Sequence, residues 1–445
     1  MRDATDTQNV TIGAGCSPLW TTYSGRASAT NQPLSSADEN TFAVAGKEVQ
    51  RRLQAAGRTL VDPYVFPGRP TLYADYQNVV ALEEALRVHE AIPVAAGSGT
   101  LNDIVKRAAY ERDRPYMVVA TAASMDGYTA FGASITKEGY KQTMTCPAPK
   151  AVVADLDVLV DAPPRMTASG YADLLGKVTA GADWLIADTL EAEKIDRQVW
   201  SLVQDPLREW IGKPAELHAG DRQATVRLIE GLIISGLAMQ VHQSYLPASG
   251  GEHLFSHLWE MEGLGHGDNG EPPLSREFKV GVGSVAITTL YEQVLQRDPS
   301  TLDVEAVCRA WPTREEVERA VRAVHTTLGL VENSVKESLA KYISADQLAQ
   351  RLALLRERWP EMSQRVAEQW LPAEQSRTML RVAGCPASPS EIGLCWAKFR
   401  AMYSRARMIR RRCTVLDLAT ETGNLAECVD ELFAPGSFWA RDAAP

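Results

Sequence analysis

The stretch Ile92–Tyr110, I-P-V-A-A-G-S-G-T-L-N-D-I-V-K-R-A-A-Y, decides the fold. Its short apolar run, glycine-containing turn and helically spaced apolar residues predict a strand over Ile92–Ala96 that leads into a helix. Outward from this unit, the same patterns predict helices over Thr41–Ala56 and Asn78–His89 and a buried strand over Tyr116–Thr121. Such alternation of strand and helix is typical of an α/β layer with a largely parallel sheet.

The chain changes character near Pro163, where a proline-rich stretch ends. Helical periodicity then continues almost to the end, over 167–185, 189–204, 220–240, 250–262, 279–296, 312–327, 332–341, 345–355, 359–370 and 388–421. We therefore predict an α/β, Rossmann-like dinucleotide-binding domain over 1–162 and an all-α domain over 163–445, with the site between them. The residues before Asp38, S-A-T-N-Q-P-L-S-S-A, have almost no strand character, so we expect a degraded first strand.

Composition excludes several classes of function. A net charge of −10 argues against a general nucleic-acid binder. No apolar run is long enough to span a bilayer, and the N-terminus lacks the apolar core of a signal peptide. The seven cysteines are scattered and form no C-x-x-C pair, which favours free thiols in a reducing cytoplasm over disulfides.

The turn Gly97-Ser98-Gly99 is a candidate phosphate-binding loop. Closely spaced glycines let the backbone approach a pyrophosphate, and the N-terminus of the following helix offers free N–H groups. The alternative is a glycine-rich turn that binds nothing, because a short glycine motif is weak evidence by itself.

Three further segments contain residue types that suit an active site. Asp126 lies in S-M-D-G-Y, Asp173 lies in the apolar helix start G-Y-A-D-L-L-G-K, and His253 and His257 lie one helical turn apart in P-A-S-G-G-E-H-L-F-S-H. A buried carboxylate needs a cation or a metal, and two histidines at this spacing can face one cavity. The alternatives are that Asp126 caps a helix, that Asp173 lies on the surface and that His253 is a core residue.

Taken together and in this order, these segments resemble the glycerol-1-phosphate dehydrogenases, which belong to the superfamily of glycerol dehydrogenase, iron-type alcohol dehydrogenases and dehydroquinate synthase. The resemblance runs from about Ala37 to Ala419, where R-x-I-R-R-R-C-T-V-L-D-L-A matches the closing helix of that family. It implies a dehydroquinate synthase-like fold and NAD(H)- or NADP(H)-dependent reduction of a dihydroxyacetone-phosphate-like ketone to a glycerol-1-phosphate-like alcohol. We expect a small phosphorylated polyol or ketone as substrate, a cytoplasmic location, a homo-oligomer, and no nucleic-acid partner.

The resemblance also implies roles for individual residues. Asp173 and His253 match metal ligands, Asp126 would orient the substrate, and His257 would orient the site or face the substrate. The implied cofactor contacts are Asp38, Gly97, Ser98, Gly99, Asp103, Thr121, Ser124 and Lys177, with Lys106 as a further candidate.

The sequence departs from the family at a metal ligand. The second ligand histidine is replaced by Arg276, and a guanidinium has no free lone pair. Either His266 or His257 completes a zinc or nickel site, or Arg276 pairs with Asp173 and serves as a permanent catalytic cation. A shifted register, with Arg276 merely exposed, is the remaining alternative. A second departure is Tyr245-Leu246-Pro247, where the family has a basic residue before the proline.

Two other functions stay open. One is a homologue in a specialised biosynthetic pathway that acts on another substrate as a lyase, a cyclase or a metal-independent enzyme. The other is a non-catalytic homologue that binds a ligand or a partner protein. Nicotinamide oxidation with dihydroxyacetone phosphate separates the reductase from both alternatives.

Overall fold

A computed structural model describes residues 5–15, 32–138, 140–265 and 274–443. In these residues a six-stranded parallel sheet has the order β1-β8-β5-β4-β2-β3, and β6 and β7 form a separate antiparallel pair. The strands are β1 (Asn9–Gly13), β2 (Pro33–Asp38), β3 (Tyr64–Phe66), β4 (Ile92–Gly97), β5 (Met117–Ala120), β6 (Ala133–Lys137), β7 (Tyr140–Met144) and β8 (Ala151–Asp155). The helices among them are α1 (Glu39–Thr41), α2 (Lys47–Ala55) after a π-helical turn over Phe42–Gly46, α3 (Tyr76–Arg87), α4 (Gly99–Glu111) and α5 (Leu156–Val160).

The predicted strand–turn–helix unit is confirmed as β4 followed by α4. Strand β4 lies inside the sheet, with Val94 opposite Met117 of β5 and Pro33 of β2 opposite Ile92. The carboxyl ends of these parallel strands therefore meet at one edge, where the turns after β2, β4 and β5 come together.

The prediction of a degraded first strand is wrong. Strand β2 is well formed and buried, with Leu34, Ser35, Ser36 and Ala37 at most 2% exposed. It pairs with β3 on one side and β4 on the other. Hydrogen bonds to two neighbouring strands satisfy its backbone, and its small side chains allow close packing, so tertiary context outweighs weak intrinsic propensity.

The second half of the described chain is helical. Its helices are α6 (Pro164–Thr189), α7 (Arg197–Ile211), α8 (Pro214–His218), α9 (Arg222–His242), α10 (Gly251–Met261), α11 (Arg276–Val294), α12 (Val304–Ala310), α13 (Arg314–Val324), α14 (Leu328–Ala340), α15 (Ala345–Gln369), α16 (Ala373–Val382), α17 (Trp396–Arg405), α18 (Val415–Glu421), α19 (Leu425–Leu432) and α20 (Phe438–Ala443). Short 3₁₀ turns occupy Pro299–Thr301, Ser390–Ile392 and Ala406–Ile409.

Some predicted helix boundaries differ from the structure. The two helices predicted over 345–370 are a single helix, α15, which continues through Pro360. The long helix predicted over 388–421 is broken into turns and two shorter helices. Gly393 ends the first turn at a φ of +74°, and a capping box between Thr414 and Asp417 starts α18 anew.

Helix α6 is the centre of the helical region, and it is buried almost without interruption from Ala168 to Ala187. Helix α9 is the only described helix long and apolar enough to cross a membrane, and 67% of its most apolar window is buried inside the protein. The last sheet strand ends at Asp155 and α6 begins at Pro164, but one continuous apolar core includes side chains from both regions. The domain boundary at residue 162 stays a prediction.

Candidate active site

Helix α6 makes a backbone contact with the loop that follows β5. A Cβ atom on Gly170 would lie 2.0 Å from the carbonyl oxygen of Ala123, so only glycine allows this approach. One turn later, the Oδ2 atom of Asp173 accepts a hydrogen bond of 2.9 Å from the backbone N–H of Asp126. The structure thus brings together the two aspartates that the sequence analysis proposed.

A buried lysine links these two carboxylates. The Nζ atom of Lys177 lies 2.6 Å from Oδ1 of Asp173 and 2.8 Å from Oδ2 of Asp126. From α9, the hydroxyl of Ser235 donates to the same Asp126 oxygen over 3.0 Å.

The Lys177 side chain is fully buried. Burial acts to lower the pKa of Lys177, but the charges of Asp126 and Asp173 outweigh it and raise that pKa. Burial likewise opposes ionisation of Asp173, yet Lys177 and then His253 lower its pKa, so the Asp173 carboxylate and the Lys177 ammonium stabilise each other's charge.

His253 on α10 is oriented by its neighbour in sequence. Its Nε2 atom faces Asp173 at 3.8 Å from Oδ1, and its Nδ1 atom lies 2.8 Å from Oε1 of Glu252. Glu252 is held by the N–H of Gly250 at 2.6 Å and the hydroxyl of Thr179 at 2.6 Å. Burial works against the Glu252 carboxylate, but hydrogen bonding and charge from His253 lower its pKa. Glu252 was not among the predicted site residues, although its position directly before a candidate histidine was a usable signal.

Arg276 does not pair with Asp173, so that hypothesis is wrong. In the described part of the chain its ion pair is with Glu277, at 3.2 Å between Nη2 and Oε1, and its side chain is 23% exposed. Lys177 takes the place beside Asp173 because it lies four residues later on the same helix. Burial opposes the charge of Arg276, but Glu277, Glu260 and Asp173 outweigh it and raise the pKa of Arg276. The guanidinium therefore remains a permanent cation close enough to the cluster to influence Asp173.

His257 lies beside His253, with 6.1 Å between the ring centroids. Burial, followed by the positive charge of Arg410, lowers the pKa of His257 well below its usual value. His257 is therefore neutral near pH 7. His266, the other candidate for the missing ligand, lies outside the described residues.

The donor set in the described residues does not fit a divalent metal ion. They contain no group of three His, Cys, Asp or Glu side chains placed to hold one. Both oxygens of Asp173 are already hydrogen-bonded, one to Lys177 and one to the N–H of Asp126. Arg276, at the position where the family resemblance implies a ligand histidine, offers N–H donors only. We therefore derive no chemical step through a metal.

The turn after β4 fits a dinucleotide phosphate better. Ser98 is the N-cap of α4, and within the described structure no side chain caps that helix. Its first N–H groups are therefore available to an anion. Gly97 accepts a 3.2 Å hydrogen bond from the N–H of Thr121, and a Cβ on Gly99 would lie 3.2 Å from side-chain atoms of Met125. The candidate phosphate loop thus contacts the loop that contains Ser124 and Asp126.

Asp38 lies at the carboxyl end of β2, next to this turn in the sheet. Its Oδ1 atom accepts hydrogen bonds from the N–H groups of Asn40 at 2.8 Å and Thr41 at 3.0 Å, which caps α1. None of these bonds involves Oδ2, so one carboxylate oxygen remains for a ribose hydroxyl.

The remaining cofactor candidates have structural partners. Oδ2 of Asp103 accepts a 3.1 Å bond from the N–H of Ser134 in β6. The Ser124 carbonyl accepts a 3.2 Å bond from the hydroxyl of Ser169. Lys106 is wrong as a cofactor contact, because its buried ammonium donates to the backbone carbonyls of residues 127, 130 and 132 at 2.8–3.1 Å. It fixes the loop beside the site instead.

Comparison with known proteins agrees with this architecture. Residues 21–163 match the family model for iron-containing alcohol dehydrogenases. The chain is 33% identical over 310 residues to the glycerol-1-phosphate dehydrogenase [NAD(P)+] of Bacillus licheniformis, which covers 68% of this chain and 76% of that protein. It is 31% identical over 391 residues to the corresponding Bacillus subtilis protein, covering 87% and 85%.

Solved structures show the same fold at low sequence identity. A probable glycerol dehydrogenase from Sinorhizobium meliloti superposes with a TM-score of 0.60 at 16% identity, covering 98% of each chain. A maleylacetate reductase from Rhizobium sp. strain MTP-10005 gives a TM-score of 0.55 at 15% identity, covering 92% of this chain and 96% of that one. The fold is thus that of the iron-type alcohol dehydrogenase class, and the predicted fold class is confirmed. Within that class, the chain belongs to the glycerol-1-phosphate dehydrogenase family.

Proposed function

We propose that the protein is an NAD(P)H-dependent reductase that converts a dihydroxyacetone-phosphate-like ketone to a glycerol-1-phosphate-like alcohol, and that side-chain cations replace the metal ion. The names of the Bacillus relatives support the reaction. The observation that carries the proposal is the position of Lys177, whose ammonium group binds both Asp126 and Asp173 in a buried cluster.

The positive charge of Lys177 would favour reduction of the carbonyl group. Reduction of a carbonyl builds negative charge on its oxygen, which two nearby carboxylates would oppose. Lys177 offsets their charge from within the protein, where the low dielectric strengthens the interaction. Lys177 is fully buried, so we assign it a positioning and electrostatic role rather than direct contact with the substrate.

Two partly exposed groups, Arg276 and His253, would contact the substrate. The Arg276 guanidinium provides a permanent cation for the carbonyl oxygen, with directional N–H donors. Bound reduced nicotinamide would supply the hydride at the carbonyl carbon. Nε2 of His253 would then deliver a proton to the oxygen, while Glu252 holds the ring through Nδ1. Hydride and proton together account for the two hydrogens gained by the alcohol.

One observation favours a second candidate, a reductase of a ketone without a phosphate group. Tyr245 stands near the position of the family's basic residue, and its ring lies 4.8 Å from the ring of Phe131. Its hydroxyl donates to the Phe131 carbonyl over 3.3 Å. An aromatic pair of this kind suits an uncharged substrate end better than a phosphate.

The test is oxidation of NADH and NADPH by chelator-treated protein, with dihydroxyacetone phosphate and with dihydroxyacetone as substrates. We expect turnover without added metal, and a loss of about 100-fold or more in kcat/KM for Arg276→Gln. The matched control is Arg309→Gln, which changes an arginine that is 72% exposed. Turnover only after zinc or nickel is added would contradict the metal-free chemistry. Absence of NADH and NADPH binding in calorimetry would instead favour the non-catalytic homologue.

A further inference from the structure

A cavity lies in the helical region, apart from the candidate active site. It has a volume of about 360 Å³, and none of the proposed catalytic or cofactor residues lines it. Its walls come from the segment after α6, the connections α12–α13 and α14–α15, and helices α15 and α18. The side chains that matter here are Glu193, Trp311, Lys341, Arg351, Arg407 and Asp417. The volume falls within the range of about 300–1,000 Å³ that is usual for small-molecule sites.

The positively charged side chains of this cavity are more exposed than the carboxylates that pair with them. Lys341 lies 2.7 Å from Asp417, and Arg407 lies 3.2 Å from the same carboxylate oxygen. Their side chains are 13% and 21% exposed, whereas Asp417 is only 4% exposed. The carboxylate is therefore behind the two cations, and it neutralises only one of them. A third cation, Arg351, is 21% exposed and stands in front of a carboxylate, Glu421, that is 7% exposed.

A buried acceptor adds a second kind of contact. Glu193 lines the cavity, and its Oε2 atom is buried with no hydrogen-bond partner among the described residues. A buried acceptor without a hydrogen bond destabilises the protein, and a ligand hydroxyl group that donates to it would relieve this cost. Burial also raises the pKa of Glu193, which suits pairing with a neutral hydroxyl.

Aromatic side chains form an apolar wall of the same cavity. The Trp311 indole N–H already donates to the Ile343 carbonyl over 2.9 Å, and the Tyr342 hydroxyl donates to the Pro312 carbonyl over 3.1 Å. Their polar atoms already form hydrogen bonds within the protein, so their rings offer apolar contact to a carbon chain.

We propose that this cavity is a second binding site for a small polyhydroxy anion, a phosphate ester or a carboxylate. The anionic group binds Lys341 and Arg407, the hydroxyl groups bind Glu193, and the carbon chain lies against Trp311. The choice of glycerol phosphate as the first probe rests on the proposed function, whereas the site itself does not depend on it.

Isothermal titration calorimetry on the full chain tests this site. The probes are glycerol phosphate, inorganic phosphate and glycerol. An Arg276→Gln background removes the proposed substrate-contacting cation of the candidate active site, and the cavity variants in this background identify the binding that belongs to the cavity. We expect glycerol phosphate to bind in this background more tightly than either fragment. Arg407→Gln should weaken it about tenfold or more.

A second variant and a control keep the test decisive. Ala340→Trp fills the cavity from an exposed wall position and leaves every charge in place. It should also weaken binding about tenfold or more. Arg322→Gln changes an exposed arginine paired with Glu318 and Glu332 outside the cavity, and should bind as the background does.

The results separate this proposal from the proposed function. It is overturned if the Arg276→Gln protein binds none of the probes, or if Ala340→Trp and Arg407→Gln bind glycerol phosphate as well as that background does. Failure of NADH and NADPH oxidation in the wild type would instead count against the reductase and leave this binding unchanged.

Discussion

The two ends of the candidate active site are built differently. At the nucleotide end, the N-terminus of α4 offers backbone N–H groups, and no side chain caps it within the described chain. At the catalytic end, Lys177, Asp126, Asp173 and His253 face one another through charged side chains. A site made of backbone tolerates substitution, whereas one made of side chains changes its chemistry with a single residue. Under the proposed replacement of a ligand histidine by Arg276, the change therefore falls at the catalytic end and leaves the nucleotide end intact.

The largest effect is expected from Lys177→Met. It leaves two buried carboxylates without their cation, so the free energy of unfolding should fall by about 3–5 kcal/mol. Reductase activity should fall about 100-fold or more. Urea unfolding and NADH oxidation measure both. The control is Lys194→Met, a lysine with a 66% exposed side chain. Equal stability of the two variants would show that Lys177 does not hold the catalytic end together.

Gly170→Ala tests the contact that joins the two ends. The new Cβ would lie 2.0 Å from the Ala123 backbone, which must move. We expect a loss of about 2 kcal/mol in unfolding free energy, and weaker NADH binding because the loop after β5 shifts.

Gly181→Ala on the same helix is the matched control. Its Cβ would meet the flexible ends of Gln369 and Gln204, at 2.7 and 2.8 Å. These side chains can move, so the cost should stay below about 1 kcal/mol. A Gly170→Ala protein as stable as this control would contradict the rigid contact.

The pH dependence of stability tests Asp183, a buried carboxyl group whose Oδ2 atom accepts a 2.7 Å hydrogen bond from the N–H of Gly251 at the start of α10. Burial, then the nearby charge of Glu252, raises the pKa of Asp183 to about 7. In the unfolded chain this carboxyl ionises near its ordinary value of 3.8. Between these values the folded state holds a proton that the unfolded state has lost, so stability falls as pH rises towards 7 and then levels off.

Urea unfolding of the wild type and Asp183→Asn at pH 5 and pH 8 measures this contribution. The wild type should lose about 2 kcal/mol more than the variant between these pH values. Identical pH dependence in both proteins would show that Asp183 ionises normally.

The smallest effect is expected at the nucleotide end. Asp38→Ala removes a helix cap, which costs about 1 kcal/mol of stability. It also removes the oxygen available to the ribose, so NADH should bind about tenfold more weakly while NADPH changes little. Asp196→Ala removes an equivalent cap, at the start of α7, and should leave NADH binding unchanged. Equal weakening of NADH and NADPH by Asp38→Ala would argue against ribose recognition by Asp38.

The sequence was sufficient for the fold where local patterns and tertiary packing agree. The strand–turn–helix at Ile92–Tyr110 and the long helices of the second half were predicted from periodicity alone. Strand β2 was missed because its Ser and Ala residues have no strand propensity. They are extended because β2 is paired within the sheet. The predicted helices over 345–355 and 359–370 imply a break at 356–358, but the structure has one continuous helix there.

For the site, sequence patterns located the residues but not their partners. Asp126, Asp173 and His253 do come together. Lys177 was predicted as a cofactor contact and Arg276 as the partner of Asp173, but Lys177, four residues after Asp173 on one helix, forms the ion pair. Burial determines which cation, Lys177 or Arg276, pairs with Asp173, because only Lys177 lies wholly inside the protein. Burial cannot be read from residue identities.

The most direct test of the account is metal content and activity measured on the same wild-type sample, before and after chelator treatment. The side-chain cation account predicts less than stoichiometric zinc and nickel in the purified protein and an unchanged rate of NADH or NADPH oxidation after chelation. A stoichiometric metal whose removal abolishes activity, and whose return restores it, would contradict the account.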